Sequence, residues 1–119
     1  MTDRPGEDAR AHPIARRLEP GEDIKGLVHA TEAQLLVTDR RVAVAQRDLV
    51  RLDVPFDRLR RIQFDIERDR PATLVIVPEH PRDEPQVLAI PREHIDAAAN
   101  VLAFIGGLLL HPMDESREA

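Results

Sequence analysis

The chain reads as a mainly β domain stoppered by one C-terminal α-helix, on three grounds. Between about residues 23 and 91 the apolar residues fall in short runs, several of them strictly alternating with polar ones. That period of two places one set of side chains on a single strand face. The runs are separated by turn signals such as Thr38-Asp39-Arg40-Arg41, Arg68-Asp69-Arg70-Pro71 and the segment around Pro78, Pro81 and Pro85. After Pro91 the apolar spacing lengthens to that of a helix: Ile95, Ala98, Ala99, Leu102 and Ile105 make one stripe.

Residues 1–18, with Pro5, Gly6, Pro13 and scattered charges, read as a flexible arm or at most a short helical turn at Ile14–Leu18. The domain proper is expected over 19–110. Its first strand, 23–30, sets Ile24, Gly26, Val28 and Ala30 against Lys25 and His29. The nearly unbroken apolar run 33–38 follows, then 41–47 around Val42 and Val44, and 49–55 with Val50, Leu52 and Val54 on one face. Pro55-Phe56-Asp57-Arg58 fits one helical turn. In 60–67, Ile62, Phe64 and Ile66 oppose Arg61, Gln63, Asp65 and Glu67; 72–78 and 86–91 complete seven strands. So many short strands on short connections predict an antiparallel meander curling into a sandwich or barrel. The helix is expected over about 92–108, with Glu93 and Asp96 at its positive end and Gly106-Gly107 weakening or ending it. Residues 111–119 read as a disordered tail.

Composition narrows the function classes. Three Phe and no Trp or Tyr leave few stacking platforms for single-stranded nucleic acid, and a formal charge of -5 gives no general footprint for polyanions. No nucleic-acid partner is expected. Cys is absent, which removes disulfides and thiolate chemistry. Met1 to Arg17 is polar, with no apolar leader segment, so a cytoplasmic location is the expectation.

Three segments carry a resemblance to a known family. Leu18-Glu19-Pro20-Gly21-Glu22 stands at the domain entry, Leu36-Val37-Thr38-Asp39-Arg40-Arg41-Val42 forms the middle hairpin, and Val54-Pro55-Phe56-Asp57-Arg58-Leu59-Arg60-Arg61-Ile62 turns into the fifth strand. Together they resemble the pleckstrin-homology-like superfamily, in particular its small bacterial and GRAM-like branches. The resemblance covers about residues 18–110 and implies a seven-stranded antiparallel bent barrel capped by the helix. It also implies a binding or assembly module, since bacterial relatives often assemble through barrel edges or helices. Some family members hold phosphoinositides with basic residues between strands one and two. Here that loop is Ala30-Thr31-Glu32, short and acidic, so that site is not carried over.

Catalysis has little material. The sole Ser, Ser116, lies in the tail, and the five His stand too far apart for a local His-x-x-x-His site. Glu79, His80, Asp83 and Glu84 make one oxygen–nitrogen cluster, which reads as a solvated loop before it reads as a metal site. Asp65, Glu67 and Asp53 read as cross-strand charge pairs with Arg51 and Arg61 rather than as an acid–base pair. No catalytic, metal or cofactor residue is assigned, and no enzyme is expected. Arg40, Arg41, Arg58, Arg60 and Arg61 are candidate anion contacts, because the guanidinium fork matches phosphate and carboxylate. An anionic lipid or acidic ligand is therefore the alternative partner.

The helix carries the stronger signal. From Ala97 to Leu110 its only polar side chain is Asn100, so the apolar surface exceeds what a stopper needs. Those 14 residues span about 21 Å, short of a hydrocarbon core of about 30 Å, and they include no Lys or Arg to flank the apolar face in an interfacial pose. The surplus face is expected to meet a second copy through Val101, Phe104, Leu108, Leu109 and Leu110, making a homo-oligomer.

Overall fold

The computed structural model describes residues 12–110. Seven strands precede one long helix: β1 (Ile24–His29), β2 (Gln34–Thr38), β3 (Arg41–Gln46), β4 (Leu49–Pro55), β5 (Leu59–Asp65), β6 (Ala72–Pro78), β7 (Gln86–Ile90) and α1 (Ile95–Leu110). Every pairing is antiparallel and joins strands adjacent in sequence, giving one sheet in the order β1-β2-β3-β4 and a second in the order β5-β6-β7.

The two sheets do not close into a single barrel ring. Pro55 has no N–H to give to a ladder, and the 3-10 turn Phe56–Arg58 carries the chain from the first sheet into the second. The inner faces meet in one core: Val28, Leu35, Val37, Val42, Val44, Leu52 and Val54 from the first sheet, and Leu59, Ala72, Leu74, Ile76, Leu88 and Ile90 from the second. Helix α1 inserts Ala98, Val101 and Ile105 into it. Burial of such aliphatic area, at about 25 cal/mol per Å², is the main force holding the sheets together.

The start of the described chain is ordered against the first sheet, so the expected arm 1–18 does not hold from His12 onward; residues 1–11 lie outside the described residues, as do those of the expected tail 111–119. Pro13–Arg17 is a 3-10 turn, and its Ile14 packs with Leu36 and Ala43 in a second small core beside Leu18, Ile24, Leu27 and Val50. This strap explains why β2 and β3 are buried on both faces and read as unbroken apolar runs. His12 is 1% exposed. Its Nδ1 accepts the Ile14 N–H at 3.1 Å, so Nε2 carries the proton and donates to the Gln34 carbonyl at 3.2 Å.

Strand β5 stops at Asp65, whose partner is Thr73, and Ile66 beyond it is exposed. At the other end, Gly106-Gly107 does not end the helix, which continues to Leu110. The packing of Leu109 on the core outweighs the roughly 1 kcal/mol that each glycine costs.

Candidate functional site

Two regions singled out from the sequence take definite form: the Arg groups and the helix. The structure divides the Arg groups. In the β2–β3 hairpin the Thr38 hydroxyl accepts the Arg40 and Arg41 N–H groups at 3.0 Å and donates to Glu22 Oε2 at 2.6 Å. Arg41 then turns inward. Its Nε and Nη2 donate to the Glu22 carboxylate at 2.9 and 3.1 Å, and Nη1 donates to Asp53 at 3.3 Å. The Glu22 side chain is 0% exposed and that of Arg41 15%. Burial alone pushes the Glu22 carboxyl up, but hydrogen bonds from Thr38, the Glu19 N–H and Arg41 outweigh it and hold the group below its ordinary range. Burial likewise lowers Arg41, while its bonds to Glu22 and the charge of Asp53 reverse the sign and keep it cationic.

Arg40 pairs with Glu19 at 2.8 Å, and Arg17 joins Asp53 at 3.3 Å. No buried side-chain nitrogen or oxygen among the described residues lacks a partner. Arg40 and Arg41 are therefore engaged with acids of this chain, in a network tying the strap to the hairpin. Arg58, Arg60 and Arg61 differ: all three are exposed and make no ion pair among the described residues.

The acid groups also depart from expectation. Asp53 belongs to the Arg41 network, Asp65 accepts from Gln63 at 3.1 Å, Glu67 lies 3.8 Å from Arg70, and Arg51 faces Glu84 at 3.9 Å. The expected cross-strand pairs do not form, because Asp53 and Arg51 stand in the first sheet and Asp65 in the second. In the acidic loop His80 Nδ1 accepts the Arg82 N–H at 3.1 Å. Among the described residues no group of three or more metal-ligating side chains converges. The His94 ring, at the start of the helical segment, lies 5.7 Å from that of His29.

On α1 the five expected interface residues separate. Val101 is 5% exposed and belongs to the core, because it fills the space that Gly26 of β1 leaves by having no side chain. Phe104 is half-buried, edge-on to Phe56 at 6.1 Å between centroids, with Lys25 Nζ 5.6 Å from its ring centre. Leu108 and Leu109 line a groove of about 670 Å³ together with Pro55, Phe56, Asp57, Leu59 and the hairpin residues Asp39 and Arg40. Leu110 ends the helix, and its side chain lies outside what is described. The face turned to solvent is made instead of Asp96, Ala99, Asn100, Ala103 and Gly107. The sequence reading missed these small residues, although their spacing of three and four marks one helix face. No helix among the described residues is long and apolar enough to cross a membrane.

No family model matches the chain, and neither a curated protein nor a solved structure matches it.

Proposed function

We propose that this chain is a non-catalytic binding and assembly module of pleckstrin-homology-like architecture that associates with a second copy through α1. In this reading the two sheets are the halves of a bent seven-stranded barrel and the helix is its stopper. The order of four strands, a Pro55-Phe56 turn, three strands and a helix supports it.

One observation carries the assembly reading. The solvent face of α1 has a charge only at Asp96, in its first turn; beyond that it presents Ala99, Asn100, Ala103 and Gly107, and the groove beside Leu108 and Leu109 lies at its far end. Small side chains let a second helix approach closely, and the separation of packed helix axes depends on the residues at the contact. The groove then offers apolar surface that a neighbour's last turn would cover.

The test is the mass of the protein in solution by light scattering. Phe104→Glu is a poor probe, because it also removes the contacts to Phe56 and Lys25. Ala103→Glu is exposed and adds a charge at the centre of the proposed contact. The wild type is expected to run as an oligomer and the variant as a single chain with an unchanged circular dichroism spectrum. A wild type that stays monomeric at high concentration refutes the proposal.

A second reading rests on Arg58, Arg60 and Arg61, exposed and without an ion pair among the described residues, which would hold an anionic lipid or acidic ligand. The assembly reading expects the protein to stay in the supernatant when anionic vesicles are sedimented. Pelleting that fades with salt would favour the Arg reading instead.

A further inference from the structure

Strand β7 is the outer strand of the second sheet. Its odd-numbered residues turn their backbone away from β6, as two contacts show. The Thr31 N–H and hydroxyl reach the Ala89 carbonyl from outside the sheet, at 2.8 and 3.3 Å. Just past the end of β6, the Glu79 N–H bonds the Arg58 carbonyl, which puts the odd residues of β6 on the β5 side and its even residues on the β7 side. Backbone bonds in an antiparallel ladder alternate in this way. The Val87 N–H and C=O and the Ala89 N–H therefore point out of the sheet, and no described group bonds them.

This open edge borders a cleft of about 260 Å³, shared with the β1–β2 turn and with Val44, Gln46 and Arg51 of the first sheet. Pockets for small molecules usually run to about 300–1,000 Å³ with mostly apolar linings. A narrower cleft beside free strand-edge groups matches a different occupant, another length of extended backbone.

We propose that this cleft takes a short extended peptide segment, β-branched at its centre and flanked by lysine, which adds to β7 as a further antiparallel strand. The segment's central residue exchanges both backbone bonds with Val87, and a neighbouring carbonyl takes the Ala89 N–H. Thr31 already occupies the Ala89 carbonyl, which limits the paired length. The Val87 side chain, 68% exposed, gains a cross-strand partner, for which β-branched residues are suited. The lysine preference rests on Glu32, which stands on the cleft wall without an ion pair among the described residues, whereas Arg51 on the same wall meets Glu84 at 3.9 Å. This surface shares no lining residue with the groove at the end of α1.

The test is a nuclear magnetic resonance titration of the labelled full chain. The probes are capped Lys-x-x-x-Lys pentapeptides whose central positions are Val, Ile or Thr, taken to millimolar concentration. Saturable shifts of the Val87 and Ala89 amides are expected, with affinity falling at least tenfold when the central peptide nitrogen is methylated. Val87→Pro removes the outward N–H without breaking the ladder to β6, and binding should disappear. If that variant does not fold, Glu32→Lys on the exposed turn should weaken binding severalfold. The proposal is overturned if no peptide moves the Val87 and Ala89 signals, if the methylated peptides bind equally well, or if the shifts gather at Leu108 and Leu109.

Discussion

Placing a single methyl group on Gly26 tests how the helix is seated. A Cβ built there overlaps Val101 Cγ2 and lies 3.8 Å from Val101 Cβ. Val101 is β-branched and on a helix, so its side chain has essentially one χ1 rotamer and cannot swing aside. Relief requires α1 to lift from β1, loosening Ala98 and Ile105 from the core. Overpacking of this kind costs about 1–3 kcal/mol. For a domain of this size that is a fall in melting temperature of about 4–20 °C. Val101→Ala alone removes two methyl groups, about 1.6 kcal/mol by transfer with a cavity contribution added. In the double variant the new methyl enters the space the valine leaves, so the two losses should fall short of their sum by more than about 1 kcal/mol. Urea denaturation followed by circular dichroism measures all three. An unchanged midpoint for Gly26→Ala, or strict additivity in the double variant, would refute this seating of the helix.

Two further outcomes follow from the buried polar groups. Burial holds His12 below its ordinary value of about 6.5, against the opposing effects of the Gln34 carbonyl and the Asp53 charge. The unfolded chain therefore takes up this proton first: the His12 contribution is complete above pH 6.5 and drains away as pH falls through 6.5 toward the lower folded value, at up to about 1.4 kcal/mol per pH unit. Denaturant midpoints between pH 7.5 and 5 should decline less steeply in His12→Phe, and equal slopes in the two proteins would refute the assignment. Arg41→Ala leaves the Glu22 carboxylate buried with only the Thr38 and Glu19 donors, and is expected to cost about 3 kcal/mol at neutral pH by urea denaturation. A loss below about 1 kcal/mol would mean that the pair contributes no more than a surface one.

Much of the architecture was legible from local pattern. The alternation of Ile62 and Phe64 with Arg61, Gln63 and Asp65 is a local property of one strand, as is the change of period after Pro91, so a mainly β chain with a C-terminal helix could be read directly. What failed depended on distant partners. Nothing local to Val101 says that it faces a glycine 75 positions earlier, so an apolar residue assigned to an outer face belongs to the inner one. The Arg40–Arg41 pair looks like a free cationic tip until Glu19, Glu22 and Asp53 arrive from two other segments. His12 caps and Ile14 lies within a five-residue 3-10 turn; a short turn there could be read from the sequence, but only the sheet beneath reveals the role of these two side chains. Of the expected interface, Leu108 and Leu109 reach an open groove, while the exposed face of α1 is built of small residues whose apolar character alone does not tell an outer face from an inner one.

Because every ladder joins neighbours in sequence, each sheet can zip up hairpin by hairpin, an event that takes microseconds. The seat of Val101 on Gly26 is another matter, since it ties together the two ends of the domain and must wait for both sheets. Until the closing 16-residue helix arrives, two oily inner surfaces stand bare. On a ribosome, that helix is also the last described element to be made. The time between completion of β7 and docking of α1 is therefore when this chain is most exposed to sticking to its neighbours.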